Sequence, residues 1–122
     1  MGHSRDEKIE ALGRIIDTLD ELRVKCPWDR KQTNESLRPN TIEEVYELCD
    51  ALISDDSVNI KKELGDVLLH VLFYAKIGEE KGQFDIIVLD TNVKDVLNKE
   101  NVKKKLTRSQ TCIKIGSDNY GW

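Results

Sequence analysis

Three stretches of the chain repeat their apolar residues at steps of three and four. Ile9, Leu12, Ile15/Ile16, Leu19 and Leu22 make one stripe; Ile42, Val45, Leu48/Cys49 and Leu52/Ile53 a second; Ile60, Leu64, Val67/Leu68, Val71/Leu72 and Ala75 a third. A period near 3.6 residues gathers each set on one face of an α-helix. The spacing predicts helices from about Asp6 to Val24, from Asn40 or Thr41 to Ile53, and from about Val58 to Glu80. Consecutive helices joined by a short break turn back on one another, so the expected fold is all-α, an antiparallel helical bundle. Only two prolines interrupt the 122 residues.

The helix ends carry signals of their own. Ser4 or Asp6 can cap the first helix, and Cys26-Pro27 ends it, because the residue before proline is pushed out of the α region. Residues 26–40 read as a loop of about 15 residues, a length common in functional segments. Thr41-Ile42-Glu43-Glu44 matches a capping box that would start the second helix. Ser54-Asp55-Asp56-Ser57 reads as the break and Gly82 as a C-terminal stop. The second half of the third helix is apolar nearly all round, through Phe73 and Tyr74, which asks for burial on two sides, in a bundle centre or a subunit interface. Ile86-Ile87-Val88-Leu89 fits the start of a helix or a strand, and periodicity fades from Asn98 onward.

Composition excludes several classes. A mean hydropathy of -0.52 with 34% charged residues fits a soluble domain. The longest apolar run, Val67 to Phe73, contains His70 and is too short to span a bilayer. No charged start leads into an apolar run, so a cytoplasmic protein is expected. Cys26, Cys49 and Cys112 are odd in number and widely spaced, a poor disulfide framework and a poor zinc site. Residues 1–87 hold 12 Lys and Arg against 19 Asp and Glu, whereas residues 88–122 hold seven against four. An acidic main body does not attract a nucleic acid duplex, but it can take a phosphate ligand through cations held by its carboxylates.

Glu44 and Glu47 stand three apart on the second helix, Glu63 and Asp66 three apart on the third. Each pair shares a helix face beside an apolar stripe, so the four carboxylates can converge on one groove. Anions packed together repel, and burial raises that cost, so a cation is expected among them. Oxygen-only donors favour Mg²⁺ or Mn²⁺ over zinc. Bland readings compete. Acidic pairs at this spacing also occur on solvated faces, Glu44 can be the cap partner of Thr41, and Glu63 can pair with a surface lysine. A di-iron bundle asks for Glu-x-x-His, which His70 does not supply; a lone histidine there is more often a packed side chain.

Taken together, Cys26-Pro27-Trp28-Asp29, Gln32-Thr33, Glu35-Ser36-Leu37-Arg38-Pro39, Glu43-Glu44-x-x-Glu47 and Glu63-Leu64-Gly65-Asp66-Val67-Leu68-Leu69 resemble the MazG-type nucleoside triphosphate pyrophosphohydrolases over about residues 8–85. The resemblance implies a fold of the all-α NTP pyrophosphatase type at residues 1–87, with its core completed by dimerisation into a homodimer or higher oligomer. It implies hydrolysis of a nucleoside triphosphate to the monophosphate and pyrophosphate. It implies Mg²⁺, with Mn²⁺ as a substitute, on Glu44, Glu47, Glu63 and Asp66. Glu44 or Glu47 is the catalytic candidate for activating water, and Trp28, Asp29 and Gln32 are candidates for nucleotide contacts. Asn34 stands where many relatives carry histidine. Residues 88–122 depart from the family, whose basic Arg-His-Pro-His-like motif has no counterpart here. Either Lys103, Lys104, Lys105 or Arg108 replaces those cations, or the tail reflects a frame change or truncation. The alternative function is a non-catalytic dimerisation or nucleotide-sensing module; weaker still is an acidic scaffold without metal.

Overall fold

The computed structural model describes residues 2–107, with side chains up to residue 99. Its helices are α1 (Arg5–Lys25), α2 (Pro27–Lys31), α3 (Asn34–Ser54), α4 (Ser57–Glu80) and α5 (Ile86–Thr107). No strand occurs among the described residues, as the all-α expectation requires, and the Ile86–Leu89 run opens a helix. No described helix is long and apolar enough to cross a membrane.

Local chemistry sets the helix ends. Ser4 is the cap of α1: its hydroxyl accepts from the Glu7 amide at 3.1 Å, and its amide donates to the Glu7 carboxylate at 2.7 Å. Cys26 is extended (φ -88°, ψ 121°), as Pro27 demands, and Pro27 opens α2, where a missing N–H costs no helical bond. Gly82, at φ +72°, follows the end of α4; its amide donates to the Glu79 carbonyl at 3.0 Å.

The expected loop at 26–40 is corrected: it is mostly helical. Thr33 caps α3, its hydroxyl accepting from the Ser36 amide at 3.1 Å while its own amide donates to the Ser36 hydroxyl at 2.8 Å. Pro39 lies inside α3, where its missing N–H forfeits one backbone bond. Thr41 is therefore inside the helix and caps nothing. Its hydroxyl donates to the Leu37 carbonyl at 3.1 Å, and Glu44 has no cap to partner.

Asp55 and Asp56 alone separate α3 from α4. Asp55 takes the left-handed conformation (φ 55°, ψ 38°), which a short polar side chain tolerates, and Asp56 caps α4 by accepting from the Asn59 amide at 3.2 Å. So tight a turn lays the two long helices side by side, and α4 also packs on α1. Leu19, Leu37, Leu72, Phe73 and Ile77 form the core, with Ile15, Leu68 and Tyr74 around it.

The chain divides into two compact units at Phe84/Asp85. In the second, the Asp85 carboxylate accepts from the Ile87 amide at 3.0 Å and starts α5.

Arg23 braces the first unit. Its guanidinium grips Glu80 through two bonds of 2.9 and 2.8 Å, donates to the carbonyls of Asp29 (2.6 Å) and Gln32 (2.9 Å), and lies 5.4 Å from the centre of the Phe73 ring. The bonds to Glu80 raise the Arg23 pKa and hold that of Glu80 below the usual carboxylate range. One side chain thus ties α1, the α2 corner and the end of α4 together. Arg23→Ala is expected to lower unfolding stability by about 2–3 kcal/mol in urea titrations, since charged hydrogen bonds are lost and carbonyls stripped of partners. Arg23→Lys should recover only part, because an ammonium cannot reproduce the fork.

Candidate metal centre

The hairpin of α3 and α4 positions the acidic residues. Glu44 and Glu47 lie one turn apart on α3, Glu63 and Asp66 one turn apart on α4. One carboxylate oxygen from each of Glu44, Glu63 and Asp66 falls within 4.8 Å of the others. Glu47, more exposed, is not among the three that converge, but its carboxyl stands near enough to Glu44 to help raise the Glu44 pKa.

The electrostatics are strained. Loss of hydration pushes the Glu44 pKa up to about 7, helped by the hydrogen bond with Glu47 and by the charges of Asp66, Glu63 and Glu47. Glu63 is only 7% exposed. Its Oε2 lies 3.3 Å from Lys62 Nζ, but its Oε1 is buried with no hydrogen-bond partner. An orphaned carboxylate oxygen costs on the order of 1–3 kcal/mol or more unless something positive meets it. Lys62 also lies 3.0 Å from Asp66 Oδ2, and these bonds to Asp66 and Glu63 raise its pKa. One mobile ammonium against this many carboxyl groups leaves a deficit of positive charge. Converging oxygen donors, one of them buried and unpartnered, are a donor set suited to a hard divalent cation.

Beside the cluster, a polar cavity of about 220 Å³ is bordered by Glu47, Asp50, Asp56, Asn59 and Glu63 among others. It lies between the end of α3 and the start of α4, next to the carboxylates.

The remaining candidates stand elsewhere. Trp28 and Asp29 are on α2 and Gln32 is its C-cap. The Trp28 indole is 55% exposed. Gln32 is spent on local structure: its amide donates to the Trp28 carbonyl at 2.9 Å and its side-chain oxygen accepts from the Ser36 hydroxyl at 2.7 Å. His70 is outside the acidic cluster and hydrogen-bonds Thr41, the packed-histidine reading. Lys103, Lys104 and Lys105 fall in α5, but their side chains, and all of Arg108 and Cys112, lie outside the described residues. Lys62 was not singled out from the sequence; its spacing of four from Asp66 was the available signal, and it realises the surface-lysine pairing considered for Glu63.

Residues 32–112 match the MazG nucleotide pyrophosphohydrolase domain, a span that runs past residue 87 into the stretch set apart by charge. The nucleoside triphosphate pyrophosphohydrolase/pyrophosphatase MazG of Thermotoga maritima is 49% identical over 110 residues, 88% of this chain and 40% of that protein. The nucleoside triphosphate pyrophosphohydrolase of Escherichia coli K12 is 36% identical over 94 residues, 77% of this chain and 36% of that protein. That of Mycobacterium tuberculosis is 42% identical over 80 residues, 63% of this chain and 25% of its own. The chain thus spans about two fifths or less of the length of these curated relatives. With two thirds of its length inside the matched region, the chain belongs to the MazG nucleotide pyrophosphohydrolase domain family.

Proposed function

We propose that this domain hydrolyses a nucleoside triphosphate to the monophosphate and pyrophosphate, using Mg²⁺ (or Mn²⁺) held by Glu44, Glu47, Glu63 and Asp66. The observation that carries the reading is the buried, unpartnered Glu63 Oε1 among converging carboxyl groups. The relatives named as nucleoside triphosphate pyrophosphohydrolases support the reaction class. When bound, the ion supplies positive charge that polarises phosphate oxygens.

The chain's own residues supply the rest. Glu63 and Asp66 present fixed negative charge from α4, and Lys62 limits their repulsion. Water attacks the α-phosphorus, its oxygen forms the new P–O bond, and pyrophosphate leaves. The proton released goes to Glu44 or Glu47. The exposed Trp28 indole offers a face for stacking on a base, with Asp29 and Gln32 beside it.

A homodimer is part of the proposal. Leu69 and Val71 on the apolar half of α4 stay 42% and 43% exposed, and Leu12 and Ile16 on α1 49% and 36%. Apolar surface of this extent favours a second copy as its cover. Sedimentation should give twice the chain mass; a monomer at micromolar concentration rejects this part.

Pyrophosphate release from a nucleotide panel with Mg²⁺ tests the reaction. Glu63→Gln should lower the rate at least about 100-fold while the fold persists; no release by folded wild-type protein rejects the enzyme reading.

Protons and metal compete for Glu44. Mn²⁺ affinity by calorimetry should rise about tenfold from pH 6 to pH 8, and Glu44→Gln should flatten that rise. Folding raises the Glu44 pKa above its ordinary 4.5 to about 7. Its contribution to the stability of the metal-free domain is therefore present at low pH and lost as pH climbs through that window. The melting temperature of wild type should fall more steeply there than that of Glu44→Gln, and saturating Mn²⁺ should reverse the fall.

A further inference from the structure

One polar constellation on the α3–α4 interface has no part in the chemistry above. Thr41 Oγ1 donates to the Leu37 carbonyl (3.1 Å), meets His70 Nδ1 at 2.6 Å, and contacts the Tyr74 hydroxyl. All three side chains are partly buried. A threonine hydroxyl has one hydrogen, and a carbonyl can only accept. Within hydrogen-bond distance of His70 and Tyr74 as well as Leu37, the Thr41 hydroxyl links α3 to two turns of α4. The His70 ring meets that of Tyr74 edge-on at 80° with centroids 6.4 Å apart.

The location matters. Thr41 stands one turn before Glu44 on α3, and His70 one turn after Asp66 on α4. The helices run antiparallel, so the two bonds across the interface sit one turn along from the carboxylates. Hydrogen bonds at fixed length and angle tolerate little sliding of one helix on another. A slide of one residue moves a helix by about 1.5 Å. A metal site accepts ligand displacements of only about 0.2 Å.

We propose that Thr41, His70 and Tyr74 are positioning residues: their cross-helix bonds set the register of α3 on α4 and so the spacing of Glu44 from Glu63 and Asp66. The claim deepens the metal reading and rests on it for its first test. Thr41→Val keeps the volume and removes the hydroxyl; Thr41→Ser keeps the hydroxyl. Mn²⁺ affinity should fall about 10–100-fold in Thr41→Val and stay within about threefold of wild type in Thr41→Ser. Equal Mn²⁺ affinity in wild type and a folded Thr41→Val overturns the proposal. Crystal structures of the metal-free proteins decide it independently. A Glu44 carboxylate displaced by about 1 Å or more relative to Asp66 in Thr41→Val supports it; unmoved carboxylates overturn it. Wild type that binds no Mn²⁺ rejects the metal reading instead, and the crystallographic comparison still judges the register claim.

Discussion

Carboxyl groups repel, and the α3–α4 hairpin holds several of them together regardless. Glu44, Glu63 and Asp66 converge within 4.8 Å, with Glu63 buried and Glu47 one turn along α3 from Glu44. The backbone makes this possible through a two-residue turn, with Asp55 in the left-handed region and Asp56 capping the next helix. The apolar stripes of the same helices, docked on the core around Phe73 and Leu37, supply the free energy that keeps the acids close. The strain surfaces as a Glu44 carboxyl pushed up to about 7 and as an orphan oxygen on Glu63. Functional sites are where such local penalties concentrate.

Two polar devices stiffen the frame around that strain, at opposite ends of its logic. Arg23 acts at the corner, gathering the α2 carbonyls and Glu80 so that the segment bearing Trp28 is tied to both α1 and α4. Thr41 acts along the hairpin, bonding His70 and Tyr74 across the interface. Burial is non-directional, whereas these hydrogen bonds add fixed lengths and angles to the packing.

The misreading of residues 26–40 is instructive. The Thr41-to-Glu44 spacing pointed to a helix start at 40 or 41, a signal sound in isolation. A second cap, Thr33 with Ser36, lay eight residues upstream of Thr41 and prevailed, because burying Leu37, 1% exposed, against Leu19 and Phe73 outweighs one lost backbone bond. The α2 turn was likewise hidden: five residues carry too short a period to read, and its geometry is held from outside by Arg23.

Helix identity, the α3–α4 break, the acidic pairs and their spacing were legible in the chain, because helical periodicity and capping are local properties. The family resemblance also arose from local blocks of residues. Lys62 bridging Glu63 and Asp66, the unpartnered oxygen of Glu63, the raised pKa of Glu44 and the contact of His70 with Thr41 were not. Each depends on distances between side chains on different turns or helices and on how much water reaches them. The linear sequence determined which groups face one another in principle; packing alone decided how near they come, which are dried out, and therefore how strongly they call for a cation.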